Sequence, residues 1–369
     1  MKEDRFFILA EHWKEILRKY LDSGISFAVY REPGNHRGKI IIQSYQIDPG
    51  KKSFSFHSDR GFVFVPFNKS GLNKSIFIRG DVVSYGDDNL PAAIYNPEAT
   101  NLFNTGTSDL TFTTADEYYR QVQDAVYYIE KTTLSKVVLS RIQKQDKPAG
   151  FDIFNFFEKI CHHLPDAFCY IFYHASAGLW CGASPELLIK FDGSYLETVA
   201  LAGTKAAENV CWKEKEIVEQ QLVSDYILEK LRVVGIREVN ICGPLTAKAG
   251  NLFHLKTVFS APVEKNFPFQ QLADILHPTP AVCGLPGDLA MKFIGKTENH
   301  NRSYYAGYAG PVNIDIPAFF HVNLRCMQVF DDVLALYVGA GITRDSDPGS
   351  EWEETCHKAM TLISLLENK

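Results

Sequence analysis

The sequence has no excess of basic residues. Its 38 Lys and Arg stand against 44 Asp and Glu, a formal net charge of −6, which argues against nucleic acid as a partner. It has no uninterrupted apolar run long enough to span a bilayer, so a membrane partner is not expected. The start, Met1-Lys2-Glu3-Asp4-Arg5, leads into only a short apolar stretch and does not read as a signal peptide. None of the eight cysteines forms a CxxC pair. That pattern disfavours a disulfide framework or a zinc site and suits unpaired core thiols in a reducing cytoplasm. Internal repeats, low-complexity linkers and charge blocks are also missing. What is present is 46% hydrophobic and 13% aromatic residues, with 26 Phe and 17 Tyr. This is the composition of a soluble globule with a large, β-rich core, and a monomer is the default expectation.

Residues 1–110 read as β-structure behind a short N-terminal helix, with Phe54, Phe56, Phe62, Phe64 and Phe67 in short strand-like runs. Asn101 to Thr113 is largely polar and reads as a loop. Thr114-Ala115-Asp116-Glu117 is a capping box that opens a helix with an apolar stripe at Tyr118, Val122, Ala125, Val126 and Ile129. A buried strand is expected at Lys136–Arg141, a helix at Ile153–Leu164 and a strand at Ala167–Tyr173. Asp192-Gly193 signals a two-residue hairpin turn. Glu214–Val234 is the longest helix candidate, with Val218, Leu222, Tyr226 and Ile227 near one face. Strand-like runs then dominate to Gly341, and Ser350–Leu366 closes the chain as a helix. The motifs discussed next span residues 114–358, so the expectation is one large α+β domain over 1–369, with 1–110 its divergent β-rich part.

Two helices carry carboxylate stripes. Spacing of i,i+3 places Glu216 beside Glu219, and Glu351 beside Glu354, with Lys358 continuing the second stripe. Such a stripe is stable in water or around a cation. If the two faced each other they would form an oxygen-rich site suited to Mg²⁺; taken singly, each reads first as a solvated helix face. Lys136 opens an apolar strand, where partial desolvation favours a base, although a strand-end lysine taken alone is an ordinary exposed residue. Glu186, in Gly182-Ala183-Ser184-Pro185-Glu186, can serve as a general acid or stay a hydrated loop residue. Leu201-Ala202-Gly203-Thr204 and Val338-Gly339-Ala340-Gly341 are small enough for backbone N–H groups to meet a ligand, or are ordinary turns. Arg325 lies in a strand-like run, where its fork either clamps a carboxylate or forms a buried structural pair.

In order, the series KVVLSR, SPE, LAGT, KEIVE, HPTPAVCGLP, YYAGYAGPV, GAGI and SDPGSEWEET resembles the chorismate-utilising enzymes over about residues 114–365. That family includes isochorismate, anthranilate, aminodeoxychorismate and salicylate synthases; SDPGSEWEET and HPTPAVCG look closest to the isochorismate synthase branch. The resemblance implies a single α+β domain of two large, mostly antiparallel sheets packed together, with helices outside and the site in a cleft. It implies chorismate as substrate and Mg²⁺ as cofactor, held by Glu219 and Glu354 with Glu216 and Glu351 beside them. The backbone at Ala202, Gly203 and Thr204 would meet the ring carboxylate, near Lys358. Arg325, Tyr305, Gly339 and Gly341 would hold the enolpyruvyl carboxylate. His254 matches a histidine near the ring substituents, and reads equally as a core histidine. Lys136 matches the lysine that activates water for attack at C2, and Glu186 the glutamate that protonates the departing C4 hydroxyl. Ala281 stands about where the amination and salicylate branches tend to carry threonine, which favours an isochorismate synthase over a salicylate synthase. Tyr308 is a departure, since relatives often carry a smaller residue there.

Overall fold

Strands rich in Phe, Tyr, Val and Ile bury both of their faces when sheets stack, and that demand shapes this chain. A computed structural model describes residues 7–43, 54–56, 58–89, 110–205, 209, 211–249 and 252–367. One sheet has nine strands, in the order Gly284–Leu285, Lys136–Asp146, Val333–Ile342, Cys326–Val329, Gly178–Ser184, Phe168–His174, Phe27–Arg31, Lys39–Ile42 and Val82–Tyr85. The other has eight, in the order Asn240–Ala249, Leu252–Pro262, Tyr195–Lys205, Leu187–Phe191, Ala318–Val322, Tyr308–Val312, Gly61–Val65 and Ile76–Arg79. The strand pairings are antiparallel, as in the ten-residue register of Val333–Ile342 against Lys136–Asp146. The expected two-sheet α+β architecture is thus the one observed.

Alternation along each strand sorts the core into two layers. Ala28 and Tyr30 of the large sheet face Phe62 and Phe64 of the other, in a core that also takes Phe172 and Trp180. Phe64 stacks on Phe172 at 4.3 Å and on Tyr304 at 4.4 Å between ring centroids. Phe27, Val29, Ile40 and Ile42 point the other way. They pack on Trp13 and Leu17 of the helix Glu11–Asp22, on Phe154 and Phe157 of Ile153–His163, and on Leu362 and Ile363 of Pro348–Glu367. Strands from the first 110 residues therefore complete both sheets.

Local signals hold at several points. Thr114 accepts from Glu117 N while the Glu117 carboxylate accepts from Thr114 N, and this box starts the helix Ala115–Lys131. Its Tyr118, Val122, Ala125 and Ile129 are buried. Other expectations are corrected. Phe54, Phe56 and Phe67 lie outside strands. The Asp192 turn spans three residues, because the Asp192 carboxylate accepts from both Ser194 N and Tyr195 N before the next strand begins. Two helices, Phe269–Leu276 and Gly287–Thr297, interrupt the region expected to be strands. Each is short and begins after a proline, so little helical period shows in the sequence. On the helix Glu214–Val233 the buried face is Val223, Ile227 and Leu231, whereas Val218 is 51% exposed. Cys211 and Cys242 are exposed and are not core thiols. The expected loop at Asn101 lies, up to residue 109, outside the described residues.

Phe62 tests the shared core. Phe62→Ala should lower the unfolding free energy by about 3–5 kcal/mol, in one cooperative denaturant transition. An early separate transition that leaves the rest folded would mean that the N-terminal strands form their own unit.

Candidate active site

At one end of the large sheet, Lys136 opens its strand opposite Leu285 on one side and just beyond Val137, which pairs with Ile342, on the other. Gly339 and Gly341 are two apart and share a strand face. A Cβ on Gly341 would lie 3.0 Å from Lys136 Cε and 3.5 Å from Glu219 Oε1. One on Gly339 would lie 2.9 Å from the Tyr305 hydroxyl and 2.8 Å from Leu139 O. Missing side chains are what leave room here. The second wall comes from the other sheet, where the register of Tyr195–Lys205 against Leu252–Pro262 shifts between Ala202 and Lys205. At the shift Gly203 takes φ +68°, and its carbonyl accepts from His254 Nδ1 at 2.7 Å.

These walls enclose a cavity of about 100 Å³. Lys136, Glu186, Ala281 and Tyr305 line it together with Ala202, Gly203, His254, Arg325, Gly339 and Gly341. Glu216 and Glu219 enter from the helix Glu214–Val233, and Glu354 and Lys358 from Pro348–Glu367. The facing of the two carboxylate stripes is thus realised in three of four positions. Glu351, 5% exposed, is outside the lining and close enough to Tyr118 to help raise its phenol. Thr204 continues the same strand, with its side chain outside the described residues.

The charges other than that of Arg325 are paired or suppressed. Lys136 Nζ donates to Glu219 Oε1 at 2.6 Å, and Lys358 Nζ to Glu354 Oε1 at 2.6 Å and Gly339 O at 2.9 Å. Glu216 Oε2 accepts from Lys213 N at 2.8 Å, which caps its own helix. Glu186 is 3% exposed, and burial pushes its carboxyl up to about 7, against the pull of Lys136, Thr279, Lys358 and Arg325. Burial takes His254 down to about 4, assisted by Arg325, so its ring is neutral at pH 7. Arg325 is not in a strand as expected. It sits in the turn before Cys326–Val329 with φ +47°, and its carbonyl accepts from Ala183 N at 3.0 Å. Its guanidinium has no hydrogen bond or ion pair among the described residues, which disfavours the buried structural pair. Burial lowers its pKa.

Glu216, Glu219 and Glu354 are hard oxygen donors that line one cavity from two helices, and in kind they fit Mg²⁺. In the positions described, Glu219 and Glu354 hold lysine ammonium groups instead. Among the described residues no three acidic, His or Cys side chains stand together as a metal cage.

The sequence pattern of the family described as "Chorismate binding enzyme" matches residues 92–367. The chain belongs to the chorismate binding enzyme family. Curated relatives include isochorismate synthase EntC of Escherichia coli K12, 29% identical over 243 residues, 63% of this chain and 62% of that one. Isochorismate synthase MenF of Pasteurella multocida Pm70 is 32% identical over 274 residues, 68% of this chain and 61% of that one. The match therefore spans less than two thirds of either relative's length. In fold, the chain is similar to the putative 2,3-dihydroxybenzoate-specific isochorismate synthase DhbC from Bacillus anthracis. The TM-score is 0.76 at 21% identity, over 96% of this chain and 99% of that one. Among the described residues of this chorismate binding enzyme, no helix is long and apolar enough to cross a membrane.

One functional element escaped the sequence reading. Arg302 donates through Nη2 to Glu298 Oε1 at 2.5 Å and through Nε to Glu298 Oε2 at 2.8 Å. The same guanidinium donates to Val138 O at 2.6 Å and Val282 O at 2.8 Å. Glu298 also accepts from Ser140 N at 2.7 Å. One buried pair thus joins the Lys136 strand to the Ala281 loop, and Tyr305 N donates to Arg302 O at 2.9 Å. Glu and Arg at i,i+4 suggest a pair in sequence, but not its reach to two distant carbonyls. Thr279, whose hydroxyl lies 3.4 Å from Glu186 Oε1, was likewise not singled out.

Removing one partner of a buried pair strands the other. Arg302→Met should therefore cost about 3–5 kcal/mol of stability, read by chemical denaturation. Adding Glu298→Leu should restore part of the loss. No recovery in the double variant would show that the carbonyl contacts, and not the ion pair, carry the effect.

Proposed function

We propose that this chorismate binding enzyme is an isochorismate synthase that converts chorismate to isochorismate with Mg²⁺. The observation that carries the reading is Glu186, a buried carboxyl pushed up to about 7, in the same cavity as Lys136. Acid and base facing one small cavity are what a hydroxyl exchange requires. The relatives named as isochorismate synthases support the same choice.

Chorismate is a dianion. Arg325 would take the enolpyruvyl carboxylate, beside Tyr305, Gly339 and Gly341. The ring carboxylate would lie against the backbone of Ala202, Gly203 and Thr204 and near Lys358. Two anchors at opposite ends fix the ring before reaction. Mg²⁺, when bound, would add a fixed positive charge for the ring carboxylate, with Glu216, Glu219 and Glu354 as its holders and Glu351 one turn away. Lys136 then accepts a proton from the water that attacks C2, a role open to it only as the neutral amine, so the ammonium that donates to Glu219 must first release that bond and give a proton to solvent. Glu186 gives its proton to the C4 hydroxyl, which leaves as water. The ring double bond shifts as the C–O bonds form and break, so one water enters, one leaves, and nothing is oxidised. His254, neutral and donating to Gly203 O, would shape the pocket beside the ring. Ala281 contributes only a methyl group there, and we assign to it the absence of the later pyruvate elimination.

Chorismate with Mg²⁺ should give isochorismate alone, resolved by chromatography and mass, and EDTA should stop the conversion. Salicylate with pyruvate would move the assignment to a salicylate synthase, and no conversion would sink the catalytic reading. Glu186→Gln should lower kcat by about 10²–10⁴-fold. Because the protonated carboxyl is the acid, kcat/KM should fall as pH rises through about 7. A profile flat across that pH would argue against Glu186 as the acid.

A further inference from the structure

A second, larger cavity of about 260 Å³ adjoins the first, and Pro185, Leu201 and Arg325 border both. Its outer wall is the hairpin of Asn240–Ala249 and Leu252–Pro262, which contributes Lys248 and Lys256. Lys256 pairs in register with Leu201, on the shared border. It lies two residues after His254, so both side chains leave the same face of the strand. His254 serves the inner cavity and Lys256 the outer. Lys248 is next to last in its strand and exposed. Lys248, Lys256 and Arg325 have no ion pair among the described residues. Among the described residues Asp166 is the one carboxylate in the lining, which also takes His163. Three unpaired cations against one carboxylate stand out in a protein of net charge −6.

We propose that this outer cavity is the approach by which the carboxylate-bearing substrate reaches Arg325, and that Lys248 and Lys256 are residues that attract and orient it. The inference rests on the proposed reaction of a dianion. Like-signed charges around a concave, low-dielectric wall focus the field and raise the local concentration of an anion. Arg325, on the border of both spaces, can receive a carboxylate from the outer one and present it to the inner one. The lysines touch no reacting atom, so their charge belongs to encounter and binding and not to bond making.

The test compares kcat and KM for chorismate in the wild type, Lys248→Glu/Lys256→Glu and Lys248→Gln/Lys256→Gln, at low and high salt with Mg²⁺ fixed. At low salt the Glu pair should raise KM about tenfold, and the Gln pair by less, with kcat little changed. At about 1 M salt, where the Debye length shrinks to about 3 Å, the differences should largely close. Equal losses in the Gln and Glu variants, a gap that persists in salt, or a fall confined to kcat would overturn the proposal. So would an unmoved KM. If the wild type does not convert chorismate, the parent reading fails and this inference with it. An active wild type with indifferent variants sinks the inference alone.

Discussion

A charge removed from water must be paired with its opposite or neutralised, and the candidate site is organised by that constraint. Lys136 meets Glu219, Lys358 meets Glu354, and burial raises the Glu186 carboxyl to about 7. Arg302 meets Glu298 just behind the wall. Lys136 and Glu219 come from distant segments, whereas the partners in the other two pairs are four residues apart and reach distant segments through backbone carbonyls, Lys358 to Gly339 O and Arg302 to Val138 O and Val282 O. These contacts tie two helices and the loop after residue 276 to one end of the large sheet. Arg325 is the exception within this economy of pairing, a guanidinium with no partner among the described residues. If the cavity takes the dianion proposed for it, this unpartnered cation is the place prepared for the ligand's charge.

Aromatic packing gives these contacts their rigid base. Phe62, Phe64, Phe172, Trp180 and Tyr304 belong to one core between the sheets. The short strands before residue 110 supply two of those rings and complete both sheets. The glycines at 339 and 341 do the opposite work at the sheet's end, holding open a space that side chains would fill. Density in the core and vacancy at the edge are both set by which residues lack bulk.

Much of this was legible in the sequence where the signal is local. The capping box at Thr114, the helical spacing of Glu216 and Glu219, and the β-rich composition all follow from short-range rules. The resemblance to the chorismate-utilising family supplied the order of motifs, and the cavity gathers all but Glu351 and the undescribed Thr204 side chain. What was not legible depends on long-range placement. No spacing rule shows that Arg302 reaches Val138 O and Val282 O, or that Lys136 and Glu219 meet. The helices Phe269–Leu276 and Gly287–Thr297 were missed because eight or eleven residues leave little periodicity to see. Arg325 was read as a strand residue because its neighbours are apolar, whereas its backbone turns the other way.

That turn has an evolutionary side. With φ +47°, Arg325 occupies a left-handed conformation that costs a side-chain-bearing residue roughly 1–2 kcal/mol. Glycine would adopt it without that cost. Mutational drift toward a more stable chain would therefore favour erasing the guanidinium. If Arg325 is the clamp proposed for it, selection for turnover and selection for stability pull in opposite directions at this one position.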